Sequence, residues 1–142
     1  MIALFLFLFF STNLHAENAE GSISVIVKNL RSDEGTTQLL LFNSDKGFPS
    51  VSKEAIRDGH AKIKKGKSFF VWKKIPYGTY AISVLHDENN NEKLDTNFMG
   101  IPREGLGASQ GIKSMLRKPE YEESSFNLST DDLLIEVDMR YF

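Results

Sequence analysis

One stretch of the chain, His86-Asp87-Glu88-Asn89-Asn90-Asn91-Glu92-Lys93-Leu94-Asp95-Thr96-Asn97-Phe98-Met99-Gly100, gathers carboxylates and carboxamides at a single bend. Such oxygens suit a hard cation. Calcium loops of the helix–loop–helix kind draw ligands from positions 1, 3, 5, 7 and 9, the seventh through its backbone carbonyl. Counted from Asp87, these positions hold Asp87, Asn89, Asn91, the Lys93 carbonyl and Asp95, with Leu94 at the inward apolar position eight. Alternation makes the spacing work, because every second side chain can face one centre. Two positions depart from the pattern. Glu92 stands sixth, where glycine permits the sharp turn, and Phe98 stands twelfth, where a bidentate carboxylate is usual. Asn97 and Glu104 are the available substitutes. With only Asp87 and Asp95 charged, the affinity expected is that of a weak extracytoplasmic Ca²⁺ site, roughly 10⁻⁴–10⁻³ M. The competing reading is an Asx-rich hairpin tip, in which the same side chains bond only their own backbone.

Other residue sets compete for a chemical role. Gly107-Ala108-Ser109-Gln110-Gly111 spells the nucleophile-elbow pattern. The required later histidine is missing, since His60 and His86 both precede Ser109. A small hydrolase would instead need Asp87, Glu104 and His86 to converge on one pocket. A carbohydrate-binding module would use Tyr121, Trp72 and Phe98 as stacking surfaces, although a tryptophan beside Phe69, Phe70 and Val71 suits a core. His60 with His86 could pair on a metal, and Glu122 with Glu123 could pair as acids; a strand histidine and neighbouring exposed glutamates are the simpler readings. Without cysteine, thiol catalysis and zinc–thiolate sites are excluded.

The elements that position these residues are strands. Ile23, Val25 and Val27 alternate with Ser22, Ser24 and Lys28, as do Tyr80, Ile82 and Val84 with Ala81, Ser83 and Leu85. Leu133, Ile135, Val137, Met139 and Tyr141 share one face of a last strand, with Asp132, Glu136, Asp138 and Arg140 opposite. Leu39-Leu40-Leu41-Phe42 reads as a strand covered on both faces. The segments 61–65 and 68–73 around Lys65-Gly66-Lys67 predict a hairpin. Pro49 to Arg57 predicts one or two helical turns stopped by Gly59. The stretch 99–124 shows no sustained period and predicts a long irregular loop of functional importance. About seven strands and one short helix predict an all-β, antiparallel Greek-key sandwich.

The beginning of the chain differs in kind. Met1 to Phe10 reads MIALFLFLFF without a charge, and polar residues lead to Ala16. That pattern reads as a secretory leader, too short for a membrane span of ~20 apolar residues. The expected organisation is a signal peptide at 1–16 and one β-sandwich domain at 17–142, periplasmic or secreted. The formal net charge is −2. Lys62, Lys64, Lys65 and Lys67 surround Gly66 and read as a solvated turn, so nucleic-acid binding is not expected. No membrane span is expected after cleavage, and the expected partner is an envelope protein or a glycan.

Ile75-Pro76-Tyr77-Gly78-Thr79-Tyr80-Ala81-Ile82 is similar to the P-x-G-x-Y phrase of transthyretin-like and carboxypeptidase-regulatory-like sandwiches. Its continuation through Ser83 to Asn89, Lys93 to Pro102 and Glu104-Gly105, with Gly47-Phe48-Pro49 and Lys118 to Phe126, resembles a bacterial family termed domain of unknown function 2141. The resemblance runs from about Ser22 to the end. It implies a secreted transthyretin-like sandwich and no established activity. The chain departs from the family at Glu92, usually glycine, and at Leu106 and Ala108, near which aromatics are frequent. The terminal Met139-Arg140-Tyr141-Phe142 does not match the signature of transthyretin-related hydrolases, so that activity is not implied. The resulting expectation is an exported, non-enzymatic binding or envelope-structural module, with the 87–95 loop ordering the irregular segment.

Overall fold

Alternation organises the first strand, β1 (Glu20–Lys28), in which Ile23, Val25 and Val27 are fully buried between half-exposed neighbours. The computed structural model describes residues 18–142, so the leader expected at 1–16 lies outside the described residues. β1 is the centre of a three-stranded sheet. It pairs antiparallel with β4 (Ser68–Pro76) and parallel with β8 (Asp132–Asp138). The larger sheet runs β3 (Arg57–Lys62), β2 (Thr36–Phe42), β5 (Gly78–Asp87), β6 (Gly105–Ala108), and β7 (Phe126–Leu128) pairs with the start of β5. Neighbours in the sheets are mostly distant in sequence, as a Greek key requires. The inner faces meet in one core of Ile23, Val25, Leu39, Leu41, Trp72, Ile82, Val84 and Val137, among others. The protein is therefore the all-β sandwich that the alternation predicts, with eight strands among the described residues and, among these, one parallel pair, β1 with β8.

Three local expectations need correction. The turn at Lys65-Gly66 forms, with Asp33 accepting both backbone N–H groups at 2.8 Å. Its arms pair only at Lys64 and Lys67, however, and then diverge, β3 into the larger sheet and β4 into the smaller. Lys65-Gly66 is thus a corner between layers. The helical expectation over 49–57 reduces to one 3₁₀ turn at Ser52–Glu54. Arg57 and Gly59 instead belong to β3, opposite Leu41 and Leu39. Gly59 is a packing site where the Phe70 ring lies over the strand, leaving no room for a side chain. The irregular stretch 99–124 is interrupted by β6, which pairs with β5 from Ser83↔Ala108 to His86↔Gly105, and by a short helix, α1 (Tyr121–Ser124).

The long excursion has a definite place. β2 and β5 bury residues on both faces. Leu39 and Leu41 enter the core, while Leu40 points outward and is covered by segments from 92 to 119. Double-sided burial in β2 is what the run Leu39-Leu40-Leu41-Phe42 predicts.

Candidate functional site

The acidic bend closes on itself. Asp87 ends β5 at 1% exposure, and its two oxygens accept the backbone N–H groups of Asn91 (3.1 Å) and Glu92 (2.8 Å). Asn89 and Asn91 accept the N–H groups of Asn91 and Lys93 at 3.2 and 2.9 Å, forming consecutive Asx turns. Their amide nitrogens donate to Asp95, at 2.6 Å from Asn89 and at 3.0 and 3.1 Å from Asn91. Glu92 adopts φ +60°, the left-handed conformation that glycine supplies in calcium loops. Position six is therefore filled geometrically despite its side chain.

Glu104, which the sequence offered as a substitute ligand and as a member of the hydrolase set, proves central to the bend. It is 4% exposed and accepts the N–H groups of Glu88 at 3.0 Å and Asp95 at 3.1 Å. Burial pushes its carboxyl above the usual range. The two backbone donors work against that, and the negative charges of Asp95 and Asp87 add to it. Asp87, Asn89, Asn91, Asp95 and Glu104 thus share one bend; the Lys93 backbone enters through its N–H. The donor set is hard oxygen, and each carboxylate retains unused lone pairs after its backbone bonds. Asp95 faces the amide donors of Asn89 and Asn91, an arrangement that a polar hairpin tip also adopts, and among the described residues no group of three or more His, Cys, Asp or Glu is arranged to hold a metal.

Beside the bend, Arg31 grips Glu88 through two bonds of 2.6 and 3.0 Å, bonds the Arg103 carbonyl at 2.8 Å and lies 4.6 Å from the Tyr141 ring centre. Tyr141 in turn meets His86 Nδ1 at 2.7 Å, while His86 Nε2 meets the Glu34 carbonyl at 2.9 Å. A carbonyl only accepts, so Nε2 carries the donated proton and the Tyr141 hydroxyl serves Nδ1. Both ring nitrogens are thereby occupied in a buried structural role. His60 lies on β3, on the far side of β2, so the two histidines form no metal pair.

The acid response of this corner has two opposed parts. The Arg31 hydrogen bond holds Glu88 below its ordinary 4.5, so the associated stability is full above that value and is lost as pH falls through the depressed one. Glu104 is raised, so its contribution is full below 4.5 and is lost as pH rises through its elevated value. Thermal melts across the acid range should therefore show Glu88→Gln flattening the lower limb, by up to about 1 kcal/mol for a half-exposed pair. Glu104→Gln should flatten the limb just above it.

Ser109 is no nucleophile. It is fully buried; its Oγ accepts the Ile82 N–H at 2.9 Å and donates to the Ser124 carbonyl. It pins the segment after β6 to β5 and α1. Ser109→Ala is expected to lose about 1–3 kcal/mol in urea denaturation, because a buried donor and acceptor are left unpaired. The aromatic platform also separates: Trp72 is 5% exposed and donates to the Asp58 carbonyl, whereas Phe98 is 95% exposed. Tyr121 is half-buried edge-on to Phe48.

What sequence reasoning missed is a cleft of about 990 Å³ on the outer face of the larger sheet. Leu40, Leu85 and Leu106 form its floor, and Leu94, Ile112 and Met115 come from the covering segments. Its margin is apolar: Ile101, Met115 and Leu116 line it and stand exposed, Leu116 at 98%, and Phe98 and Met99, which precede Ile101 in the chain, are exposed as well. The one trace in the sequence is Leu40, an apolar residue on the face opposite Leu39 and Leu41.

Fold and site together define an all-β sandwich with a polar-tipped excursion folded across the outside of one sheet. The chain belongs to a family described as "Uncharacterized protein conserved in bacteria (DUF2141)", whose model matches residues 25–136. No curated protein and no solved structure matches it. Among the described residues no helix is long and apolar enough to cross a membrane.

Proposed function

We propose that this is an exported, non-enzymatic binding module of the bacterial envelope, whose ligand surface is the cleft between the larger sheet and the segments 92–119. The observation that carries the reading is the exposed apolar rim of Ile101, Met115 and Leu116 around an apolar floor. Contiguous exposed apolar surface of this kind marks interaction sites, and the cleft volume lies at the upper end of small-molecule pockets, roughly 300–1,000 Å³. Export rests on the leader at 1–16.

The test is a thermal-shift screen of glycans, peptides and amphiphiles against the wild type and Leu116→Glu, a change at a solvent-exposed position. A compound that raises Tm in the wild type but not in the variant supports the cleft. If every active compound stabilises both proteins equally, the surface lies elsewhere and the reading fails.

A weak Ca²⁺ at the acidic bend is a second reading. It is favoured by Asp87, Asp95 and Glu104 sharing the bend, with no Lys, Arg or His among the described residues within 4.0 Å of their carboxylates. For such an ion, Asp95 must exchange its two amide donors for the cation. Melting in millimolar calcium should exceed melting in chelator, and Asp95→Ala should abolish the difference; identical curves for the wild type remove the ion.

A further inference from the structure

The charges around the cleft narrow the ligand class beyond the module reading on which this inference rests. The charged side chains that line the cleft are those of Glu92, Lys93, Arg117 and Lys118, and they are not equivalent. Arg117 is already neutralised by Glu123 and by Glu120 at 3.3 Å. The Glu92 carboxylate lies 4.0 Å from His60. Lys93 and Lys118, by contrast, have no carboxylate within 4.0 Å among the described residues. An apolar trough edged by two uncommitted ammonium groups complements a molecule with a hydrocarbon body and an anionic end.

Other occupants fit less well. Sugar recognition relies on aromatic stacking surfaces, and among the described residues Phe142 alone of the aromatics lines the cleft. A peptide adding as a strand needs an open sheet edge. The free side of β6 is taken by Arg140, which exchanges bonds of 2.9 and 2.8 Å with Leu106. The methionine and leucines at the mouth suit a chain of variable length, since methionine repacks readily.

We infer that the cleft binds a single-chain amphiphile with an anionic head, of the fatty-acid or alkyl-phosphate class. Its tail lies over Leu40, Leu85 and Leu106, and its head is held by Lys93 and Lys118.

Calorimetry with alkyl carboxylates of increasing length, kept below their aggregation concentrations, tests this beside primary alcohols of equal length. Affinity should rise about fourfold per methylene, the factor expected for a buried CH₂. The carboxylate should bind several-fold more tightly than its alcohol. That preference should vanish in Lys93→Gln/Lys118→Gln and shrink at high salt. Both lysines are exposed, and unchanged melting of the double variant verifies its fold. Equal binding of acid and alcohol, or an unaffected double variant, overturns the head-group assignment. No dependence on length overturns the tail assignment. Binding to phosphatidylglycerol vesicles without binding to monomeric carboxylates overturns the single-chain ligand in favour of a membrane surface. If amphiphiles fail while a glycan or peptide stabilises the wild type but not Leu116→Glu, the ligand class falls and the module reading stands. If no compound does so, both fall.

Discussion

Replacing Asp87 with alanine is expected to lower stability by about 3–5 kcal/mol, since a hydrogen bond to a charged group contributes roughly 1.5–3 kcal/mol and two are lost. The carboxylate is buried at the end of β5; the Glu92 N–H has no other acceptor in the bend, and the Asn91 N–H keeps only its longer, shared bond to Asn89 Oδ1 at 3.2 Å. Glu92 is also held in the left-handed region at φ +60°, a conformation that costs a non-glycine residue roughly 1–2 kcal/mol. Removing the acceptor removes the reason for that conformation, so the bend should open as well as weaken. Urea denaturation measures the first effect, and hydrogen exchange at Asn91 and Glu92 measures the second. Asp87→Asn retains one acceptor and should fall between. Wild-type protection of those amides in Asp87→Ala would show that the bend is held by Asp95 and Glu104 alone.

Gly35→Ala should be comparably severe, at about 2–5 kcal/mol. Gly35 has φ +70° at the entry to β2, and a Cβ there would collide with the Asp87 carbonyl oxygen and come within 2.7 Å of the Glu88 Cα. The left-handed backbone contributes roughly 1–2 kcal/mol and forced separation of packed backbone about 1–3 kcal/mol. Backbone cannot rotate away as a side-chain tip can. The strain should travel, because Thr36 pairs with Asp87 and Thr37 with His86. A drop in Tm accompanied by lost protection at Asn91 and Glu92 would show that the two strand ends move as one. A drop below 1 kcal/mol would mean that the β2 entry yields freely.

The contrast between legible and hidden parts of the molecule follows from where each signal resides. β1 and β8 announce themselves because one face is apolar and the other largely polar, β5 because large Tyr80, Ile82 and Val84 recur at every second residue, and period two needs no partner to be seen. β6 is silent for a physical reason. Its sequence is Gly105-Leu106-Gly107-Ala108, and its glycines are required because Tyr141 covers Gly105 while Val137 and Met139 cover Gly107. The strand that must approach its neighbours most closely thus loses the side chains that reveal strands. The Lys65-Gly66 turn is visible, but its role as a corner depends on where β3 and β4 find partners, and those lie elsewhere in the chain. At the bend, spacing identified Asp87, Asn89, Asn91 and Asp95. Only folding brings Glu104 to them, and only folding lays the 92–119 segments over Leu40 to form the cleft.

The parallel alliance of β1 and β8 has a mechanical consequence. Seven residue pairs, from Ser22↔Asp132 to Lys28↔Asp138, run side by side in the same direction. Tension applied between the start of β1 and the end of β8 pulls the two ribbons past each other lengthwise. Every rung of that ladder is then loaded in shear at once, whereas a hairpin pulled at its mouth unzips rung by rung. A domain tethered at both ends would resist stretching through this one seam, and rupture there would precede loss of the larger sheet.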